Sequence, residues 1–205
     1  MKRVSFVRHG ESESNAGLPT DGPTLTALTE RGHRQAGQFA ADWLEAPQLV
    51  VTSKFIRTQQ TADPFLSRFS RTVHERWDVH ELTQLGTHRY KGTTHAERHP
   101  AVTEYWDRND PDFVDGEGAE SFNQFATRVL SSLQRVRSHY AQDIIIFTHG
   151  AFMQAVLYYV LRGNLPMKEY FQFSAGFPIG NCDHMMLTLN NENVWSVGLI
   201  SPSKL

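Results

Sequence analysis

The first fifteen residues, MKRVSFVRHGESESN, contain the segment FVRHGES at 6–12, in which an apolar run leads directly into charged side chains. The run RVSFV at 3–7 is typical of a buried strand. Arg8 and His9 follow it at once. A cation and an imidazole at the end of an apolar strand are costly to bury unless an anion meets them. We therefore expect an anion-binding loop directly after the first strand.

Two later segments have the same character as the first strand. LVVTS at 49–53 and DIIIFT at 143–148 are short, apolar and rich in β-branched residues. Each of the three runs is followed by a helical pattern, which is typical of a parallel sheet covered on both faces. The sequence therefore predicts an α/β fold.

Two amphipathic helices are predicted between these strands. The first extends from Thr29 to Glu45 and the second from about Ser121 to Tyr140, where Ser121 and Gln124 form a capping box. Their predicted core residues are Ala36, Phe39, Ala40, Trp43 and Leu44 in the first, and Phe122, Phe125, Ala126, Val129, Leu130, Leu133 and Val136 in the second. A hairpin around the polar turn 190–193 is expected to complete the sheet.

Residues 78–118 differ in amino-acid composition from the rest of the chain. They are polar and rich in His, Asp and Gly, and Pro100 and Pro111 argue against any long element, although a short helix around 96–106 is compatible with the pattern. We expect one domain over 1–205 in which this excursion covers the site, because such excursions from an α/β scaffold usually select the ligand.

Composition limits the classes of function. The chain has 205 residues, of which 40% are hydrophobic and 20% are charged, and its formal net charge is −2. These values give no support for nucleic-acid binding, and no apolar stretch suggests a membrane span or a secretory signal. The single cysteine, Cys182, fits a reducing compartment and is expected in a strand. A cytoplasmic location without a membrane partner is the expectation.

Three predicted strand ends carry the chemistry. VRHG at 7–10 and FTHG at 147–150 each place a histidine after a strand, and SKFIRTQQTA at 53–62 places Arg57 in the first turn of a helix that Ser53 is expected to cap. Ligands of open α/β sheets bind outside the carboxyl ends of the strands. Arg8, His9, Arg57 and His149 should therefore share one crevice, and paired guanidinium groups favour phosphate or carboxylate.

Five blocks together resemble the histidine phosphatase superfamily, also called the phosphoglycerate-mutase-like family. They are FVRHGESESN at 6–15, LTERGHRQA at 28–36, SKFIRTQQTA at 53–62, GAES at 118–121 and FTHG at 147–150. The resemblance implies a three-layer α/β/α sandwich with a mostly parallel central sheet. It also implies a phosphohistidine intermediate and neither a metal nor an organic cofactor.

The resemblance also implies roles for particular residues. His9 matches the family's nucleophile, and Arg8, Arg57 and His149 match its phosphate-binding residues. Asn15 matches a further polar contact. His149 is expected to assist catalysis as a protonated or donor-oriented ring that stabilises charge on the phosphoryl oxygens.

The proton donor is harder to assign. The family places a Glu or Asp early in the excursion, and Glu81 in DVHELTQLG is the preferred candidate, with Glu75, Asp78 and Glu97 as competitors. Glu120 and Ser121 are candidates for the pocket, although Ser121 is expected to cap a helix in any case and Glu120 equally fits a first-turn anion. Tyr105 and Trp106 are expected to touch substrate.

The leading hypothesis is a metal-independent phosphatase acting on a small phosphomonoester. A phosphomutase is the first alternative, but residues 84–118 do not resemble the insertion of the family's mutases. A non-catalytic module that binds a phosphorylated ligand is the second alternative, and retention of His9, an acid and His149 argues against it. His95 and His99 in HAERH have metal-ligand spacing, but without a third ligand and with Pro100 ending the helix we expect no metal site.

Overall fold

The computed structural model describes residues 1–201, and a six-stranded mixed sheet lies at its centre. The strands are β1 (Lys2–Arg8), β2 (Leu49–Thr52), β3 (Val73–Arg76), β4 (Asp143–Thr148), β5 (His184–Leu189) and β6 (Trp195–Ser201). Their order across the sheet is β3-β2-β4-β1-β5-β6. The first four strands in this order are parallel, and β5 and β6 extend the sheet as an antiparallel hairpin. The predicted hairpin is confirmed.

Helices pack on both faces of this sheet. In residues 1–201 they are α1 (Glu30–Asp42), α2 (Ile56–Arg68), α3 (His95–Arg108), α4 (Phe122–Ser138), α5 (Gly150–Arg162) and α6 (Met167–Gly176). Ile146 belongs to the apolar cluster that contains residues of α4 and α5, whereas its neighbour Phe147 belongs to the cluster that contains residues of α1 and α2. Alternate residues of a strand point to opposite faces. The predicted three-layer α/β/α architecture with a mostly parallel sheet is therefore confirmed.

The register of the parallel strands places their carboxyl ends together. Arg8 of β1 pairs with Thr148 of β4, and Thr52 of β2 pairs with Phe147 of β4. The next residues along the chain are His9, His149 and Ser53. They consequently leave the sheet side by side, at the edge where ligands of such folds bind.

The loop after β1 packs backbone against backbone on the start of α1. A Cβ atom added to Gly10 would lie 2.5 Å from the carbonyl oxygen of Gly32, and one added to Gly32 would lie 2.0 Å from the carbonyl oxygen of Glu11. The backbone N–H of Thr29 donates to the same Glu11 oxygen at 2.9 Å. Only glycine permits this approach, which fixes the position of the residues that follow His9.

The predicted helices exist, but some of their details were wrong. α1 ends at Asp42, and Leu44, predicted in its core face, is 89% exposed. Leu130 of α4 is 38% exposed because it lies at the margin of the buried face. The capping box of Ser121 and Gln124 is confirmed at the start of α4.

Three local interpretations also need correction. Pro100 does not end α3, which continues to Arg108, since a proline near the helix start removes only one hydrogen bond. Ser53 does not cap α2, whose N-cap is Phe55. Cys182 lies in a turn before β5, buried and with a φ of 58°.

Two elements were not predicted from the sequence. β3, with the sequence VHER, is an edge strand whose residues are largely exposed, so it lacks the apolar pattern of the other parallel strands. α6 follows α5 closely and buries Met167 and Tyr170. None of the helices within residues 1–201 combines the length and apolar character required to cross a membrane.

The excursion from β3 to α4 contains a 3₁₀ helix, Thr87–Arg89, and α3. Arg89 donates from Nε and Nη2 to the Asp115 carboxylate at 2.6 and 2.7 Å, which joins the two ends of the segment. The predicted helix around 96–106 is confirmed and is longer than predicted.

We expect Gly32→Ala to lower the free energy of unfolding by about 1–3 kcal/mol, because the new Cβ would overlap the Glu11 carbonyl. Gly37→Ala is the matched control on the same helix, since nothing lies within 4 Å of its added Cβ. It should raise stability by up to about 1 kcal/mol through helix propensity. Urea denaturation of both variants provides the measurement, and equal effects would contradict the close packing of the loop on α1.

Candidate active site

A cavity of about 300 Å³ opens at the carboxyl edge of the sheet. Its wall includes Arg8 and His9 from the end of β1, Arg57 from the first turn of α2, and Glu81 from the excursion. Asn15, in the loop after β1, also lines it. The structure thus brings together the predicted nucleophile, two of the predicted phosphate ligands and the preferred acid.

The hydrogen bonds of His9 assign its tautomer. Nδ1 lies 2.7 Å from the carbonyl oxygen of Gly10, which can only accept, so Nδ1 carries the proton and donates. Nε2 is then unprotonated and accepts from Nε of Arg57 at 3.1 Å. Burial, followed by the charges of Arg57 and Arg8, holds the pKa of His9 well below its usual value. His9 is therefore a neutral imidazole with a lone pair on Nε2.

Two guanidinium groups of the cavity, those of Arg57 and Arg8, are oriented by backbone oxygens. Arg57 is 6% exposed, and its Nη1 donates to the carbonyl of Pro23 at 2.6 Å. Burial lowers its pKa to about 10, so it stays charged at neutral pH. Nη1 of Arg8 donates to the carbonyl of Ile179. Nε of Arg8 is buried without a hydrogen-bond partner among residues 1–201.

His149 lies behind His9 and does not line the cavity. It is fully buried, and its ring centroid is 5.1 Å from that of His9 in an edge-on arrangement. Its Nε2 lies 2.9 Å from Oγ of Ser53. Burial, and then the charge of Arg57, holds the pKa of His149 well below its usual value. The ring is neutral in this structure and contacts the His9 ring.

The Glu81 carboxylate lies at the N-terminus of α5. Oε1 accepts from the backbone N–H of Ala151 at 3.1 Å and from that of Leu82 at 3.2 Å. Helix N-termini favour a negative charge, so this position orients the carboxylate toward the cavity wall. Two of the competing carboxylates are occupied elsewhere: Glu75 pairs with Arg135 at 2.8 Å, and Glu97 caps α3 through Thr94. The geometry therefore favours Glu81 among these candidates.

Asn15 is held with its oxygen turned toward the protein. Oδ1 accepts from Ser12 Oγ and from Nδ2 of Asn181, both at 3.1 Å. Its own amide group remains available as a donor at the cavity. Nδ2 of Asn181 also donates to the carbonyl of His9 at 3.0 Å. Asn181 lies in a turn just before β5 and ties this loop to that turn.

Glu120 and Ser121 lie outside the cavity that His9 lines. The Glu120 carboxylate pairs with Nη2 of Arg128 at 2.6 Å and accepts from the backbone N–H of Thr83 at 3.0 Å. Nη1 of Arg128 donates to the carbonyl of His80 at 2.8 Å. These hydrogen bonds hold the backbone on both sides of Glu81. Glu120 therefore affects the cavity by positioning that backbone and does not line the cavity itself.

The excursion supplies wall residues that the sequence patterns did not single out as ligands, among them Tyr90 and Arg98. No periodic signal could have found them, because their position depends on how the excursion folds back. Tyr105 and Trp106, expected to touch substrate, are instead part of the core: Tyr105 is 2% exposed, and Trp106 stacks on Phe171 with ring centroids 4.7 Å apart.

Within residues 1–201, no group of three or more His, Cys, Asp or Glu side chains has an arrangement suited to a metal ion.

Comparison with known proteins places these features in a family. Residues 4–200 match the family model of the histidine phosphatase superfamily, branch 1. The metal-independent phosphoserine phosphatase of Arabidopsis thaliana is 28% identical over 76% of this chain and 67% of its own length. The adenosylcobalamin/alpha-ribazole phosphatase of Salmonella typhimurium is 26% identical over 94% of this chain and 98% of its own.

A solved structure agrees at the level of the fold. The putative alpha-ribazole-5'-P phosphatase of Escherichia coli superimposes with a TM-score of 0.78 at 20% identity, covering 98% of this chain and 97% of that one. The assignment to a family rests on the family model, which spans nearly the whole chain. The chain belongs to the histidine phosphatase superfamily, branch 1.

Proposed function

We propose that this chain is a phosphatase that hydrolyses a small phosphomonoester through a phosphohistidine on His9, without a metal ion. The observation that carries the proposal is the unprotonated Nε2 of His9 in a cavity whose wall includes the guanidinium groups of Arg8 and Arg57 and the carboxylate of Glu81. Relatives named as phosphatases support it. We further propose that the chain forms one domain whose excursion covers this cavity.

The first half-reaction transfers the phosphoryl group to the protein. The phosphate binds between Arg8 and Arg57, and the Asn15 amide donates to one of its oxygens. Nε–H of Arg57 turns from His9 to a phosphoryl oxygen, which frees the lone pair on Nε2. Nε2 attacks phosphorus as the bond to the ester oxygen breaks. Glu81, after taking the proton of the phosphomonoester monoanion, gives it to the leaving alkoxide.

The second half-reaction removes the phosphoryl group. Glu81, now a carboxylate, accepts a proton from water as the water oxygen attacks phosphorus. The N–P bond breaks, its electron pair returns to Nε2, and inorganic phosphate leaves. Arg8 and Arg57 stabilise the charge on the phosphoryl oxygens in both steps, which is the main contribution a protein makes to phosphoryl transfer.

We expect His9→Ala to reduce hydrolysis of phenyl phosphate by about a thousandfold or more, because the nucleophile is lost. The wild type should release phosphate in the presence of chelator and should carry acid-labile phosphate after an alkaline quench. His99→Ala, an exposed histidine of α3, is the control. Slow release that a phosphorylated acceptor converts to transfer would indicate a mutase, and absence of both release and phosphoenzyme would indicate a binding module.

We expect Glu81→Gln to slow the first half-reaction of an alkyl phosphate by about 10²–10⁴-fold and that of 4-nitrophenyl phosphate far less, since only the alkoxide needs a proton donor. Single-turnover release of the alcohol measures this step. Glu75→Gln is the control, because Glu75 pairs with Arg135 away from the cavity. Equal slowing of both esters by Glu81→Gln would exclude Glu81 as the acid.

The nucleophile should remain neutral across the working range of pH. Burial and the charges of Arg57 and Arg8 lower the pKa of His9, so the imidazolium is disfavoured well below pH 6.5. In ¹⁵N-labelled protein we expect the His9 ring signals, identified by their loss in His9→Ala, to stay constant from pH 8 to pH 5. In urea the same histidine should titrate near 6.5. A titration of folded His9 within that range would contradict the lowered pKa, and ring signals showing an unprotonated Nδ1 would contradict the assigned tautomer.

A further inference from the structure

We propose that Gln35 is a positioning residue that fixes the tautomer of His9. It acts through the peptide group between Gly10 and Glu11, which is hydrogen-bonded to His9 on one side and to Gln35 on the other. The inference rests on the phosphatase function proposed above. It assigns a role in that reaction to a side chain of α1 that lies behind the wall of the cavity.

The Gly10–Glu11 peptide group has a side-chain partner for each of its polar atoms. Its carbonyl oxygen accepts from Nδ1 of His9 at 2.7 Å, and its N–H donates to Oε1 of Gln35 at 2.8 Å. A peptide group is planar, and in the trans form its N–H and C=O point in opposite directions. By holding the N–H, Gln35 therefore fixes the direction in which the carbonyl faces His9.

Gln35 reaches this peptide because α1 packs directly on the loop after β1. The helix meets the loop at Gly32, and Gln35 lies three residues later on the same buried face, with 5% of its surface exposed. Burial of a side-chain amide is costly unless the amide makes hydrogen bonds. The bond to Glu11 therefore stabilises both the position of Gln35 and the orientation of the peptide.

The preceding peptide group, between His9 and Gly10, is held by other side chains. Its N–H donates to Oγ1 of Thr61 at 3.1 Å, and its carbonyl accepts from Nδ2 of Asn181 at 3.0 Å. Thr61 is fully buried and donates its own proton to the carbonyl of Arg57 at 2.6 Å. Thr61 thus offers a comparison with Gln35: a buried hydrogen bond in the same loop, on a peptide group that does not contact Nδ1 of His9.

The tautomer of His9 is under most strain when phosphate is bound. In the proposed mechanism Arg57 then turns away from Nε2, and phosphoryl oxygens take its place. An oxygen acceptor favours an N–H at Nε2, and a neutral ring with its proton there has no lone pair with which to attack phosphorus. While the Gly10 carbonyl is fixed, that form places the lone pair of Nδ1 against a carbonyl oxygen 2.7 Å away. The fixed carbonyl therefore disfavours the inactive tautomer.

The test reads the protonation of each His9 ring nitrogen in ¹⁵N-labelled protein saturated with inorganic phosphate. The His9 signals are identified by their loss in His9→Ala. We expect the wild type to keep its proton on Nδ1. Gln35→Met preserves the length of the side chain but removes the oxygen acceptor, so the peptide is free to turn and a fraction of the rings should carry the proton on Nε2. Gln35→Glu retains an oxygen acceptor and should restore the wild-type signals.

Kinetics provide a second measurement on the same variants. In a single turnover of phenyl phosphate, Gln35→Met should form phosphoenzyme about 10–100-fold more slowly than the wild type, because the nucleophile is no longer held in its reactive form. Its affinity for inorganic phosphate should not fall, since Arg8 and Arg57 are unchanged. A merely structural glutamine would instead lower stability and phosphate affinity together.

Two control variants separate the role of Gln35 from general effects. Gln38→Met makes the same substitution at an exposed position of α1, where the amide contacts only Asp42, and should keep the proton of His9 on Nδ1. Thr61→Val removes the buried hydrogen bond to Gly10 and should lower stability without moving that proton. Equal loss of the Nδ1 proton in Thr61→Val and Gln35→Met would overturn the specific role of Gln35, as would its full retention in folded Gln35→Met.

Failure of this inference and failure of the phosphatase function are distinguishable. The ring signals need no turnover, so a wild type with phosphate bound and Nε2 protonated overturns the role of Gln35, whether or not Gln35→Met folds. Absence of phenyl phosphate hydrolysis by the wild type overturns the phosphatase function, and the ring signals then still decide whether Gln35 sets the tautomer.

Discussion

The central constraint in this protein is burial of positive charge at the edge of a parallel sheet. Arg8, Arg57 and Arg98 line one cavity, and each donates from Nη1 to a backbone carbonyl. A carbonyl orients a guanidinium without neutralising it, so the charge remains available to a ligand. The loops that supply these carbonyls must be held in place for the cavity to exist. Much of the packing around the site serves that purpose.

The positive charge also determines the state of the nucleophile. His9 is buried beside two arginines, and both the burial and their charges disfavour its imidazolium form. The Gly10 carbonyl then fixes the proton on Nδ1, so the lone pair lies on Nε2, the atom that Arg57 contacts. Without a ligand, Nε–H of Arg57 donates a hydrogen bond to this lone pair. In the proposed mechanism, an arriving phosphate offers Arg57 stronger acceptors, so phosphate binding and release of the His9 lone pair are one event.

The sequence predicted the parts of the fold that depend on local pattern. The apolar runs of β1, β2 and β4 are buried on both faces, so their composition alone identified them, and the shared edge of Arg8, His9 and Arg57 followed from strand order. β3 was missed because an exposed edge strand carries no apolar signal. The place of Arg98 could not be predicted, because it depends on contacts between distant segments. Pro100 misled for a different reason: near the start of α3 it removes only one hydrogen bond, so the helix continues beyond it.

The scaffold and the excursion contribute to the site in different ways. His9 and Arg57 follow strands whose register the core fixes, whereas Glu81 depends on Arg128, which donates to backbone carbonyls of the excursion while paired with Glu120. The Arg128 guanidinium pairs with the Glu120 carboxylate and also donates to backbone carbonyls of the excursion. These bonds hold a polar segment in one conformation. The acid can therefore be placed accurately on a segment that has little apolar core of its own. Residues beyond that anchor, Arg98 among them, line the cavity from the excursion, whereas His9 is placed by the sheet, so the two sides of the cavity are positioned independently.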